Sequence, residues 1–285
     1  MKIVVIGIGL IGGSMALEFK RIDSTITVVG IDQNDNHLDQ AMAMGVIDQK
    51  GSMEDIDTAD RVVLSIPVQA SLHLLPMVLD RLPSHALLMD VGSTKEALCA
   101  AVAAHPKREN YLAAHPIAGT EFSGPSAAHL GLFEGKPQIL CQAKKTKPEL
   151  LQWAKAQFRQ MGMYLRFMEA EDHDRHMACV SHLSHISSFM LGKTVLEEEA
   201  DEQNIFDLAG SGFESTVRLA KSNPDMWAPI FEQNKANVVD ILSAYIANLE
   251  QFKDKLVKHQ IEDLHQQMKN TNQLSTILNG IKHNN

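Results

Sequence analysis

The chain has 285 residues, 45% of them hydrophobic, which is enough to bury a large core and suits two domains. With 26 basic against 35 acidic residues, the net charge of −9 argues against a protein that binds nucleic acid chiefly by neutralising phosphates. Three scattered cysteines, Cys99, Cys141 and Cys179, lack metal-ligand spacing and read as reduced, buried thiols. The N-terminus has no signal-peptide layout and no apolar run is long enough for a membrane, so a soluble cytoplasmic protein is expected.

An apolar run over residues 2–6 leads into Gly7, Gly9 and Gly12 in G-x-G-x-x-G spacing, followed by a helical pattern from Leu10 to about Arg21. A second apolar run over 25–31 ends at Asp32. In a dinucleotide-binding βαβ unit the glycines permit a tight turn, backbone approach to a pyrophosphate and close helix packing, while the helix N-terminus faces the phosphate charge. An acid at the end of the second strand accepts from the adenosine ribose and repels a 2′-phosphate, so NAD is favoured over NADP. Gly7, Gly9, Leu10, Ile11, Gly12 and Asp32 are candidate cofactor contacts, with Ser65 and Pro67 after the next strand.

Further strands are predicted over 61–65, 87–91, 111–114, 138–142 and 164–167, with helices over 70–82, 95–104 and 148–161 between them. Such alternation predicts an α/β fold, a Rossmann-like doubly wound and mainly parallel sheet over 1–168. Ligands of such sheets bind beyond the carboxyl ends of the strands. Ser93 and His115 fall there. A histidine titrates near neutrality and suits proton transfer, whereas Ser93, which opens Ser-Thr-Lys-Glu, also suits a capping box with Glu96.

From 169 to 285 the pattern is helical. One helix is predicted over 171–199, then a Gly210-Ser211-Gly212 break, a short helix to Lys221, and a long helix opened by Asn223-Pro224 that passes Leu249 with a kink at Pro229. The tail after about Gln266 is expected to be frayed or loosely packed. On a continuous helix His173 and His176 share one face, opposite His182 and His185, so the four do not converge on one ion and no metal is expected. Surface exposure suits the first pair and a buried polar face the second. Arg218 suits either an exposed helical position or a carboxylate anchor. The apolar surface of this half predicts a homodimer.

GIGLIGGS, DVGSTK, HPIAGTE, the pair His173-Asp174, VSHLSH and GSGFESTVRLAKSNPDMW, in order across nearly the whole chain, resemble the prephenate dehydrogenase family of tyrosine biosynthesis. The resemblance implies a Rossmann-like domain followed by an all-helical dimerisation domain. It implies NAD-dependent oxidative decarboxylation of prephenate to 4-hydroxyphenylpyruvate by a monofunctional enzyme. His115 corresponds to the catalytic histidine, Ser93 to its partner at the substrate hydroxyl, Arg218 to the carboxylate anchor, and His185, His182 and Thr120 to substrate contacts. Where relatives often carry a lysine and an acid before the arginine, this chain has Glu214 and Ser215, so a charge gate with Glu121 is not expected. The length leaves no room for a fused chorismate mutase or a separate regulatory domain. Arogenate is an alternative substrate, a β-hydroxy acid a more distant one. A non-catalytic NAD sensor is the alternative from another class, and the set His115, Ser93 and Arg218 argues against it.

Overall fold

The computed structural model describes residues 1–280 apart from Glu121 and Gln203. Strands β1 (Lys2–Ile6), β2 (Thr27–Ile31), β3 (Gln49–Lys50), β4 (Arg61–Leu64), β5 (Leu87–Asp90), β6 (Tyr111–Pro116), β7 (Pro137–Cys141) and β8 (Tyr164–Met168) form one sheet in the order β3-β2-β1-β4-β5-β6-β7-β8. Every neighbouring pair is parallel except β6 and β7. The central strands are apolar on both faces because both are covered. Ile3 and Val5 enter one core with Met15 and Phe19 of α1 (Leu10–Ile22), Leu38 of α2 (Asp35–Ala43) and Phe158 of α5 (Pro148–Gln160). Val4 and Ile6 enter the other with Leu75 and Leu79 of α3 (Val68–Arg81) and Leu98 of α4 (Glu96–Ala101).

The sequence pattern places most of these elements to within a few residues. The second strand starts at Thr27 rather than residue 25, because Asp23 Oδ1 accepts from the Thr25 amide at 2.9 Å and hydroxyl at 2.7 Å and closes a turn first. Helix α2 and the two-residue β3 have no counterpart in the sequence reading; α2 buries only Leu38 and Ala41, too few to set a period. Cys99 and Cys141 are buried, but Cys179 is exposed, correcting the expectation for that thiol.

The predicted continuous helix over 171–199 is instead α6 (Ala170–Met177), a wide π turn over Ala178–His182, and α7 (Leu183–Asp201). Asn234 Nδ2 donates to the Asp174 carbonyl at 2.7 Å where the turn begins to widen. The inserted residue breaks the 3.6-residue register, so a face assigned by 100° steps fails across it. Helices α8 (Ser211–Val217), α9 (Pro224–Gln233), α10 (Lys235–Val257), α11 (Ile261–Thr271) and α12 (Gln273–Gly280) complete the chain. The expected long helix with a kink at Pro229 is thus two helices. Pro229 is accommodated inside α9, and the break comes at Asn234, whose side chain is committed elsewhere. The tail beyond Gln266 is helical through residue 280 but loosely packed, with Leu274, Ile277 and Leu278 exposed. Among the described residues no helix is long and apolar enough to cross a membrane.

The helical half seats on the carboxyl edge of the sheet. Val68, at the start of α3, packs against Trp227 and Ile230 of α9, and Thr94 Oγ1 donates to Gln233 Oε1 at 2.7 Å.

Candidate active site

At the nucleotide end, Gly7 has φ +91°, a left-handed conformation open to glycine, and a Cβ on Gly12 would collide with the Gly7 carbonyl. A Cβ on Gly9 would meet nothing within 4 Å, so the backbone there borders open space. The first turn of α1, with Leu10 and Ile11, has no side-chain cap and no acid, leaving its amides for an anion. Asp32 accepts from the Ile8 amide through Oδ2 at 2.9 Å and from the Asn34 amide through Oδ1 at 2.9 Å, which fixes its carboxylate beside the glycine turn. Ser65 packs under Gly7 and Gly12, and Pro67 precedes α3. These residues fit a dinucleotide.

His115, at the end of β6, is 8% exposed. Its Nδ1 lies 2.8 Å from Nε2 of His173, and His173 Nδ1 lies 2.7 Å from Asp174 Oδ1. His173 and Asp174 are both buried, which corrects the surface assignment for His173: the partner that buries it stands 58 residues away in sequence. Burial, then the neighbouring His173 and the Lys95 and His182 side chains, hold His115 well below its ordinary pKa, so its ring is neutral at physiological pH. His173 is also lowered, chiefly by burial, against the opposing hydrogen bond from Asp174.

Asp174 does more than touch a histidine. Its Oδ1 accepts from the Lys95 amide at 2.8 Å and its Oδ2 from the Glu96 amide at 2.9 Å, capping α4 from another domain. The capping box expected from Ser93 and Glu96 therefore does not form. Ser93 is half-buried on the same loop, and its hydroxyl has no hydrogen bond to the described residues. The Lys95 side chain turns inward, paired with Asp90 and donating to the Ala114 carbonyl at 2.9 Å, while Tyr111 donates to Asp90 at 2.7 Å. This buried network braces the strand ends that carry Ser93 and His115.

In the helical half, Asn234 Nδ2 donates to His182 Nδ1 at 3.1 Å, and Asn237 Nδ2 orients Asn234 by donating to its Oδ1 at 2.8 Å. His182 Nε2 then carries the proton, and it is buried without a hydrogen-bond partner among the described residues, as is Trp227 Nε1. Burial lowers His182 to about 4. His185 stacks on Trp227 with centroids 3.5 Å apart, and burial and the Arg218 charge lower its pKa. Arg218 stands exposed on the turn after α8 and lines a cavity of about 290 Å³ with Ser211, Glu214, Ser215 and Lys221. No ion pair engages its guanidinium among the described residues, whereas Glu214 pairs with Lys221 at 3.8 Å. The structure joins His115, His173 and His182 into one buried cluster and sets Arg218 beside His185; no hydrogen bond joins Arg218 to His115. Thr120 is exposed, accepting from the Phe122 amide at 3.2 Å, and Glu121 lies outside the described residues.

Residues 15–166 match the family model for the prephenate dehydrogenase nucleotide-binding domain, and residues 169–270 the model for the prephenate dehydrogenase dimerization domain. The chain belongs to the prephenate dehydrogenase family. Among relatives of that family, the prephenate dehydrogenase of Bacillus subtilis (strain 168) is 30% identical over 270 residues, 92% of this chain and 72% of the relative. The crystal structure of prephenate dehydrogenase from A. aeolicus in complex with hydroxyphenyl propionate and NAD+ superposes with a TM-score of 0.87 at 29% identity, covering 98% of each chain. The Synechocystis arogenate dehydrogenase structure gives 0.77 at 27% identity, over 98% of this chain and all of the other.

Lys95 and Asn234 escape sequence reasoning, and His173 and Asp174, though among the motifs of the resemblance, were given no role at the site by it.

Proposed function

We propose that the protein is an NAD-dependent prephenate dehydrogenase that oxidatively decarboxylates prephenate to 4-hydroxyphenylpyruvate, with a boundary between its two domains at residues 168 and 169. The observation that carries the proposal is a neutral, buried histidine at the carboxyl end of β6, on the same sheet edge as a glycine turn built for a dinucleotide.

The amides after Gly9 and the Asp32 carboxylate would hold NAD, which would supply the hydride acceptor. His115 accepts the proton of the ring hydroxyl as the carbonyl develops. Ser93, whose hydroxyl has no hydrogen bond among the described residues, holds that oxygen in line. Loss of carbon dioxide aromatises the ring and makes the reaction strongly downhill, so positioning is most of what these side chains contribute. Arg218 anchors a substrate carboxylate, a fitting task for a guanidinium without an ion-pair partner among the described residues. The protonated Nε2 of His182 and the ring of His185 complete the far wall, with Thr120 at the rim. The exposed apolar side chains of the helical half, among them Val180, Leu208, Val239 and Leu249, support a homodimer, and the three free cysteines support a cytoplasmic location.

Arogenate carries an amine where prephenate carries a keto group and presents the same ring to His115. Steady-state formation of NADH with each substrate decides between them, and turnover of neither removes the enzymatic assignment. In the same assay Arg218→Ala raises KM more than it lowers kcat, and His115→Asn lowers kcat with little change in NAD affinity; an unchanged kcat removes His115 as the base.

A further inference from the structure

We propose that His173 and Asp174 are positioning residues that hold His115 in a single tautomer, with Nδ1 protonated and Nε2 bare, so that one defined nitrogen takes the substrate proton. The inference rests on His115 being the base, and the geometry supplies the rest.

An ionised carboxylate only accepts hydrogen bonds. Asp174 receives two backbone amides, from Lys95 at 2.8 Å and Glu96 at 2.9 Å, which favour the charged form and prevent the group from turning. His173 Nδ1, 2.7 Å from the same Oδ1, must therefore donate. A neutral His173 then has its lone pair on Nε2, and His115 Nδ1, 2.8 Å away, must donate in turn. One arrangement of protons satisfies every contact, and it leaves Nε2 of His115 as an acceptor.

The competing arrangement has an imidazolium at His173, pointing a proton at His115 Nδ1 and forcing a proton onto Nε2, where it would block base catalysis. The surroundings oppose it. His173 is 1% exposed, and the buried Lys95 ammonium, held by Asp90 and the Ala114 carbonyl, adds a positive charge nearby. The other titratable group acting on the pair is His182, the last residue of the π turn, whose ring burial keeps neutral. The charges that favour an imidazolium are Asp174 and, behind Lys95, Asp90; burial outweighs both.

Nitrogen-15 spectra of histidine-labelled full-length protein test this without reference to turnover. With His115 signals assigned by their loss in His115→Asn, the expected pattern above pH 7 is a protonated, pyrrole-type Nδ1 and an unprotonated, pyridine-type Nε2. The reversed pattern, or averaged signals, overturns the inference even if His115 is the base. Should His115→Asn retain full kcat, the base assignment fails while the spectra still decide the tautomer. A kinetic arm follows the same logic: His173→Gln keeps a carbonyl acceptor for Nδ1–H and should retain kcat within about tenfold. His173→Leu offers none and should lose about 100-fold, with NAD affinity unchanged in both. Equal kcat in the His173→Leu variant and the unaltered enzyme also overturns it.

Discussion

Replacing Lys95 by Met isolates the buried network behind the catalytic edge. The Lys95 and Asp90 side chains are both fully buried, and the ammonium also donates to Ala114, the neighbour of His115. Methionine keeps most of the volume but strands a carboxylate that, among the described residues, retains the Tyr111 hydroxyl and the Gly92 amide. Removing one member of such a pair typically costs about 3–5 kcal/mol, because the remaining charge keeps its desolvation penalty. In a protein of this size the midpoint of thermal unfolding should fall by about 10 °C. Removing Asp90's charge as well, in Lys95→Met/Asp90→Asn, should recover part of the loss. A second consequence is catalytic. The Lys95 charge helps hold the His115 pKa down, so its removal raises that pKa and moves the acid limb of kcat/KM to higher pH. Differential scanning calorimetry and a pH profile measure the two effects. A loss below about 1 kcal/mol, with no recovery in the double variant, would refute the account of Asp90 as a stranded charge.

Two further outcomes follow. His182 titrates near 4 when folded and near its ordinary 6.5 when unfolded, so between those values the unfolded chain binds the extra proton. Stability is therefore complete above about pH 6.5 and declines by about 3 kcal/mol on acidification to pH 4, with His115 and His173 adding in the same direction. Urea titrations across that range check it, and a flat midpoint would count against neutral burial of these rings. Ser188 bridges α7 to the Arg218 turn by donating to the Thr216 carbonyl and accepting from the Ala220 amide, both at 3.0 Å. Ser188→Ala should cost about 1–2 kcal/mol and raise KM with little effect on kcat; a lowered kcat at unchanged KM would show that the turn does not serve substrate anchoring.

What could be seen in the sequence was what is encoded locally. The turn from Gly7 to Gly12, the helix behind it and Asp32 lie within one βαβ unit, and apolar runs buried on both faces announce their strands. His115 was legible because the end of β6 fixes where it stands. Its partners were not, since proximity of residues 115 and 173, or of 95 and 174, is created by docking one domain on another. Ser93 shows the cost of local reasoning: a sound capping signature was overruled by a carboxylate arriving from α6. The single extra residue at Ala178–His182 defeated helical-wheel logic in the same way, turning His182 toward the cluster that a regular helix would have set it against.

The reversed direction of β7 has a consequence of its own. A parallel successor to β6 would have required the chain to cross behind the sheet, but an antiparallel one lets residues 117–136 remain on the edge where His115 emerges. That connection is moored to the nucleotide helix, its His129 amide donating to Ser14 at 3.0 Å and its Gly131 amide to Glu18 at 2.8 Å. Insertions and substitutions between those moorings and the strand ends would alter the rim of the site while the sheet register stays fixed. Only its exposed positions are open to such change, since Leu132 and Phe133 of the same connection are buried in the core beneath the nucleotide helix.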